Sequence, residues 1–164
     1  MEKILVVCRS NAGRSQIAQA FLSRYYRPSA VRSAGTNVRI EERDGYLLRQ
    51  DIVDGGVSYG LDLSGNRRGQ LRQEDLDWAD HVIVVMPFEE LEGLKSQQGK
   101  NLKSHDVDAV DLTEWALERG SKVSFWPVKD IRASEAERRT PEQVSETYAE
   151  INRLALDWIQ KRRP

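Results

Sequence analysis

Cysteine is almost absent from this chain. Its 164 residues include one, Cys8, which excludes a disulfide framework and a zinc site built from several thiolates, and fits a reducing compartment. An excess of either charge is also lacking. The 25 basic and 26 acidic residues leave a formal net charge of −1, unlike the strongly basic balance of a general nucleic-acid binder. The longest apolar runs, such as Ile4 to Val7 and Val82 to Met86, fall far short of the roughly 20 residues that a membrane-spanning helix needs. Met1-Glu2-Lys3 leads straight into a strand-like run, which is not the pattern of a secretory signal. His81 and His105 are the only histidines, and neither has metal-ligand spacing with another residue. These absences predict a cytoplasmic domain with no metal, no nucleic-acid partner and no membrane contact. They leave its oligomeric state open.

What is present is a pattern of short strands alternating with helices. A chain of this length fits one domain, 1–164, and can bury roughly two-thirds of its unfolded surface in a core. Ile4-Leu5-Val6-Val7 reads as a buried strand. From Ser15, Ile17, Ala18, Phe21, Leu22 and Tyr25 fall at helical spacing up to Pro28. Val31–Ala34 is a second strand candidate. Asp44 to Val53 is a helix candidate ended by Gly55-Gly56, and Ser58 to Arg72 is mostly loop. Glu74–Ala79 is a short helix, and His81–Met86 is the clearest strand. Pro87 opens a helix to about Gln97, and Val107–Leu112 is a further strand candidate. Thr140-Pro141-Glu142-Gln143 has the signals of a helix start, continuing through Arg162. This alternation predicts an α/β fold: a three-layer sandwich with a central parallel, roughly four-stranded sheet flanked by helices.

The chemistry lies at the end of the first strand, in Cys8-Arg9-Ser10-Asn11-Ala12-Gly13-Arg14-Ser15. In an open α/β sheet, ligands bind beyond the carboxyl ends of the strands, where the next helix points its N-terminus. Backbone amides from Arg9 to Ser15 can form a nest around a tetrahedral oxyanion. Gly13 is the residue expected to relax the tight curl. Arg14 offers a planar fork matched to two phosphate or arsenate oxygens. A free thiol ionises near 8.5, and helix N-termini and cations lower such values to about 3.5–7.5. A cysteine on the floor of that nest is therefore a candidate nucleophile, with the Ser15 hydroxyl placed to steady its sulfur. A lone cysteine at a strand end is more often a small buried hydrophobe. The preceding strand, the glycine, the arginine and the following amphipathic helix argue for function in combination.

Cys8 to Ser15 resembles the Cys-x5-Arg-Ser signature of the low-molecular-weight protein tyrosine phosphatases, a family with an arsenate-reductase branch. Ser33-Ala34-Gly35-Thr36, Gly60 to Gly65 with Gln70-Leu71, and Asp75 to Asp80 leading into Val82–Met86 are similar to later segments of that family. The resemblance implies that Cys8 is the nucleophile of a phosphocysteine and that Arg14 clamps the equatorial oxygens. It implies that Asn11 and Ser33 form the polar pair shaping the phosphate loop, although Asn11 also suits an ordinary turn. It places the general acid at Asp130, in Trp126-Pro127-Val128-Lys129-Asp130-Ile131. No cofactor is implied. The substrate would be a phosphotyrosine protein or a small phosphate ester.

The sequence departs from the family at several points. Ile131-Arg132 follows Asp130 where phosphatases typically carry Pro and then aromatics. Tyr46, Tyr59, Phe88 and Trp126 are the aromatics available for the entrance, each equally suited to core or surface. Asn66 replaces a frequent His, Gly69 a frequent Arg, and Gly13 stands where some members have a second cysteine. Two other functions fit the residues less well. An arsenate reductase would need an external small thiol, since no second cysteine can relay electrons. A non-catalytic phosphate-binding module would have little use for Cys8, Arg14 and Asp130 together.

Overall fold

The side chains of Ile4, Leu5, Val6 and Val7 are all 0% exposed, as an apolar run must be when helices cover both faces of its strand. They form strand β1 (Glu2–Cys8), and each contributes about 1.5–3 kcal/mol by leaving water. The computed structural model describes residues 1–27, 29–38, 47–95, 112–131 and 139–162. After β1 come helix α1 (Arg14–Tyr25), strand β2 (Ser29–Gly35), helix α2 (Gln50–Val57) and helix α3 (Gln73–Trp78). Strand β3 (His81–Val84), α4 (Phe88–Lys95), α5 (Leu112–Glu118), β4 (Val123–Phe125) and α6 (Pro141–Arg162) complete the order.

The strands form one parallel four-stranded sheet in the order β2-β1-β3-β4. Successive side chains of a strand face opposite ways, and the two cores divide accordingly. Ile4, Val6 and Ile83 pack with Ile17, Phe21 and Leu22 of α1, Ile52 of α2, and Tyr148, Ile151 and Ile159 of α6. Leu5, Val7, Val82 and Val84 pack with Leu76 of α3, Leu91 of α4, and Leu112 and Trp115 of α5. The predicted three-layer α/β architecture is what forms. Because β1 connects outward to β2 while β3 lies on its other side, the β1–β3 boundary is the switch point where such sheets bind ligands.

Several local expectations change. Gly55-Gly56 does not end α2 but lies within it. A Cβ on Gly55 would come within 2.7 Å of the Tyr148 ring and 2.8 Å of Val144 Cγ1, so the glycine lets α2 settle against α6. Leu112, expected to end a strand, begins α5; positions 107–111 lie outside the described residues, as do Tyr46, His105 and the start of the helix expected from Asp44. The last strand, β4, is short and is followed by buried Trp126. Tyr59 packs edge-on against Phe21 and stacks on Tyr148. Trp126 is thus a core group, and Tyr59 is half-buried against the core. Phe88 pairs edge-to-face with Phe125 at a centroid distance of 5.6 Å.

The C-terminal helix starts as its sequence predicts. Thr140 Oγ1 accepts from the Gln143 amide at 3.2 Å, and Gln143 Oε1 accepts from the Thr140 amide at 2.8 Å, a reciprocal cap. His81 is buried, its Nε2 lies 2.9 Å from Ser124 Oγ, and burial pushes its pKa down. It is a core histidine at the sheet end remote from the loops that follow β1 and β3. No described helix is long and apolar enough to cross a membrane. Among the described residues, no cluster of three or more His, Cys, Asp or Glu could hold a metal ion.

Candidate active site

Four loops leave the carboxyl ends of the four strands side by side. The Thr36 amide donates to Cys8 O at 2.9 Å and the Asn37 amide to Arg9 O at 2.8 Å, fixing the segment after β2 to the β1–α1 loop. The Val85 amide donates to Val7 O at 2.7 Å, and that of Trp126 to Val84 O at 2.8 Å. Gly35 permits this closeness. A Cβ there would lie 2.8 Å from both Arg9 O and Asn11 N, an approach that the loop's backbone could not absorb without moving.

The β1–α1 loop curls around empty donors. Among the described residues, none of the amides of Ser10, Asn11, Ala12, Gly13 and Arg14 donates to a protein carbonyl. α1 begins without a capping side chain and without an acidic residue in its first turn. Unsatisfied N–H groups and the positive end of a helix at one point make an anion site. The sharp turn falls on Asn11, with φ 52°, rather than on Gly13, with φ −149°. Asn tolerates this left-handed conformation better than most residues. A Cβ at Gly13 would only touch Ile52 Cδ1 at 3.6 Å. The expectation that Gly13 carries the curl is therefore corrected in favour of Asn11.

Asn11 is 1% exposed, and its side chain connects loop, helix and sulfur. Its Oδ1 accepts from the Gly69 amide at 3.0 Å and its Nδ2 donates to Ser15 Oγ at 2.7 Å. Ser15 Oγ lies 3.0 Å from Cys8 Sγ. As a thiol, Cys8 donates to that oxygen. Once the thiol is ionised, the Ser15 proton can turn to the sulfur while Asn11 still donates to the hydroxyl, so the chain polarises toward the thiolate. Gln16 Nε2 reaches Asn11 Oδ1 at 3.0 Å and Arg67 O at 3.0 Å, and Asn66 Nδ2 donates to Gln16 Oε1 at 3.1 Å. The segment around 66–70 is thereby pinned beneath the loop. Ser33 does not join Asn11. Its hydroxyl donates to Gln19 Oε1 on α1 at 2.7 Å, because β2 turns that side chain toward the helix and Gly69 and Ser15 already occupy the ends of Asn11.

Arg14 is 4% exposed. Its Nη1 donates to Val128 O at 2.9 Å and lies 2.8 Å from Glu90 Oε2. The loop bearing Asp130 is thus fastened to the β1–α1 loop two residues before the candidate acid. Asp130 itself is exposed and lines an open groove of about 490 Å3 with Lys129, Ile131 and, on α6, Gln143, Glu146 and Glu150. The structure therefore gathers Cys8, Asn11, Arg14 and Ser15 into one bonded cluster and ties Val128, two residues before Asp130, to it, while the groove that Asp130 lines is shared with α6 and includes none of those four residues. Gln16, Gln70 and Glu90 were missed in the sequence. Gln70, which accepts from the Val38 amide at 2.8 Å and donates to Thr36 O at 2.7 Å, and Gln16 are polar residues at ordinary helix-start and loop positions, and no spacing marks them.

The Asn11 network makes a direct prediction. Asn11→Gly keeps the left-handed backbone and removes the side-chain bonds; Asn11→Ala loses both. We expect thermal unfolding to show a cost of about 1–3 kcal/mol for Gly, with Ala lower still, and oxyanion binding to weaken in the same order. Equal stability of all three proteins would show that Asn11 is only a turn residue.

An apolar strand, an amide-lined loop, a buried arginine and a buried cysteine thus meet at one edge of a parallel α/β sheet. The chain belongs to the low molecular weight phosphotyrosine protein phosphatase family, whose model matches residues 3–115. It is 34% identical over 85 residues to "Probable low molecular weight protein-tyrosine-phosphatase EpsP" of Ralstonia solanacearum, covering 52% of this chain and 56% of that protein. It is 30% identical over 84 residues to a protein-arginine-phosphatase of Geobacillus stearothermophilus, covering 51% and 53%. The chain spans about half the length of the curated relatives it matches. Whole-chain likeness is structural. Vibrio vulnificus Wzb in complex with benzylphosphonate superposes with a TM-score of 0.73 at 22% identity, covering 98% of both chains. An arsenate reductase in the phosphate binding state gives 0.64 at 19%, covering 99% and 100%. Likeness at these identities establishes the shared fold.

Proposed function

We propose that the protein is a cysteine-dependent phosphomonoester hydrolase acting on phosphotyrosine proteins through a phosphocysteine. The observation that carries this is the 3.0 Å contact between Cys8 Sγ and Ser15 Oγ, in a loop whose amides from Ser10 to Arg14 have no backbone acceptor among the described residues. Family membership and the phosphatase names of both relatives support it.

In the first step, Cys8 thiolate attacks phosphorus. An S–P bond forms as the bond to the leaving oxygen breaks, and Asp130 transfers its carboxyl proton to that oxygen. The loop amides and Arg14 stabilise the charge on the three equatorial oxygens, a donor arrangement preorganised before the substrate arrives. Ser15 holds the sulfur by hydrogen bond, making it a better leaving group for the second step. There, water attacks phosphorus while Asp130 carboxylate accepts its proton. The S–P bond breaks, returning Cys8 thiolate and inorganic phosphate.

The test is a panel of phosphotyrosine peptide, phosphoserine peptide, phosphoarginine and arsenate with a small thiol. Turnover of the phosphotyrosine peptide is expected to exceed that of the phosphoserine peptide and of phosphoarginine by at least about tenfold. Thiol oxidation that depends on arsenate, with no ester hydrolysed, would replace this function with arsenate reduction. A preference for phosphoarginine would keep the covalent mechanism and change the substrate.

A further inference from the structure

One nitrogen of Arg14 joins three loops. Its Nη1 belongs to the loop after β1, donates to Val128 O after β4, and lies 2.8 Å from Glu90 Oε2 in the first turn of α4, which follows β3. Glu90 Oε2 is buried and receives no aligned hydrogen bond, so its hold on Arg14 is one of charge. A buried carboxylate is stable only with a compensating cation, and the pairing works in both directions. Without Glu90, the guanidinium would keep a single neutral partner on Nη1 and could turn about it.

Orientation matters because an oxyanion is gripped by two parallel N–H groups of the guanidinium plane. With Nη1 committed, the Nε and Nη2 edge remains, and no protein acceptor among the described residues takes either nitrogen. We propose that Glu90 is the positioning residue for the phosphate clamp: it holds Arg14 Nη1 so that the Nε–Nη2 edge faces the phosphoryl oxygens. Because the same nitrogen binds Val128 O, Glu90 also fixes the root of the Asp130 loop. An acid in the first turn of a helix is ordinarily explained by the helix dipole. Here it reaches past its own helix to a nearly buried arginine.

This inference rests on the proposed phosphatase chemistry, so it is tested by binding as well as by turnover. Inorganic phosphate is titrated calorimetrically into Cys8→Ser protein, with and without Glu90→Ala. Loss of Glu90 is expected to weaken phosphate binding about tenfold, and in the Cys8 enzyme to lower kcat/KM for p-nitrophenyl phosphate by about 10- to 100-fold. Glu90→Gln, which keeps the shape and an acceptor oxygen but not the charge, should fall between. In an Arg14→Lys background, Glu90→Ala should change phosphate affinity less than twofold, since the group it positions is gone. A tenfold loss in both backgrounds would indicate a general structural role and overturn the proposal. So would unchanged or tighter phosphate binding by Glu90→Ala, the latter meaning that Glu90 competes with the oxyanion. If Glu90→Ala fails to fold, Glu90→Gln decides: a loss of at least about threefold supports the role, and a smaller one rejects it. Absence of turnover in the unsubstituted enzyme counts against the phosphatase function alone, and the phosphate titration still judges Glu90.

Discussion

Cys8→Ser is expected to lower kcat for p-nitrophenyl phosphate by at least about 10^4-fold, or ~5.5 kcal/mol in barrier height, while inorganic phosphate still binds. The two halves of that result come from different parts of the site. Turnover needs sulfur because a serine hydroxyl, far less acidic than a thiol, presents almost no anion at neutral pH. Binding needs the loop amides and the Arg14 fork, which Cys8→Ser leaves in place. The Asn11–Ser15 bond of 2.7 Å and the Gly69–Asn11 bond of 3.0 Å do not involve Cys8, so the loop should keep its shape. Rate and binding followed side by side check the separation. If the serine variant hydrolysed at a similar rate, the nucleophile would have to be another group.

Asp130→Ala should have the second-largest effect, and its size should depend on the leaving group. Phenolate is a poor leaving group and needs the proton; nitrophenolate leaves with little help. We expect a loss of about 10^2- to 10^3-fold in kcat for phenyl phosphate and nearer tenfold for p-nitrophenyl phosphate. Steady-state rates over a series of aryl phosphates measure this as a steeper dependence on leaving-group acidity in the variant. A parallel loss across the series would remove Asp130 from the role of acid. The geometry makes the test worthwhile, because Arg14 fastens the loop at Val128 and Asp130 stands exposed two residues later.

The sheet was legible where apolar residues were dense. Ile4–Val7 and His81–Met86 are apolar runs that read as buried strands, the second ending at Val84 in the fold, and Thr140 to Gln143 carries its own cap. Legibility failed where tertiary packing overrides local preference. Gly55 reads as a helix end but is needed inside a helix because Tyr148 leaves no room for a Cβ. β4, with three residues, is too short for a period to register, and Leu112 gave no sign that it opens a helix. At the candidate site, the nearness of Cys8 to Ser15 was readable because a strand end and the helix start seven residues on share one loop. The clamp contacts were not. Ser33 lies one strand away from Asn11, and whether it turns to Asn11 or to Gln19 depends on how α1 crosses the sheet. Glu90 is separated from Arg14 by most of the first half of the chain, and only the β1–β3 pairing brings α4 to the guanidinium.

The central claim is that phosphorus passes through a bond to one sulfur. Rapid acid quenching of enzyme mixed with excess p-nitrophenyl phosphate, followed by peptide mapping, measures that directly. The mechanism predicts a phosphoryl group on the peptide containing Cys8, more of it in Asp130→Ala, where water attack is slowed, and none in Cys8→Ser. Steady turnover with no adduct on Cys8, or with the phosphoryl group on any other residue, would contradict it.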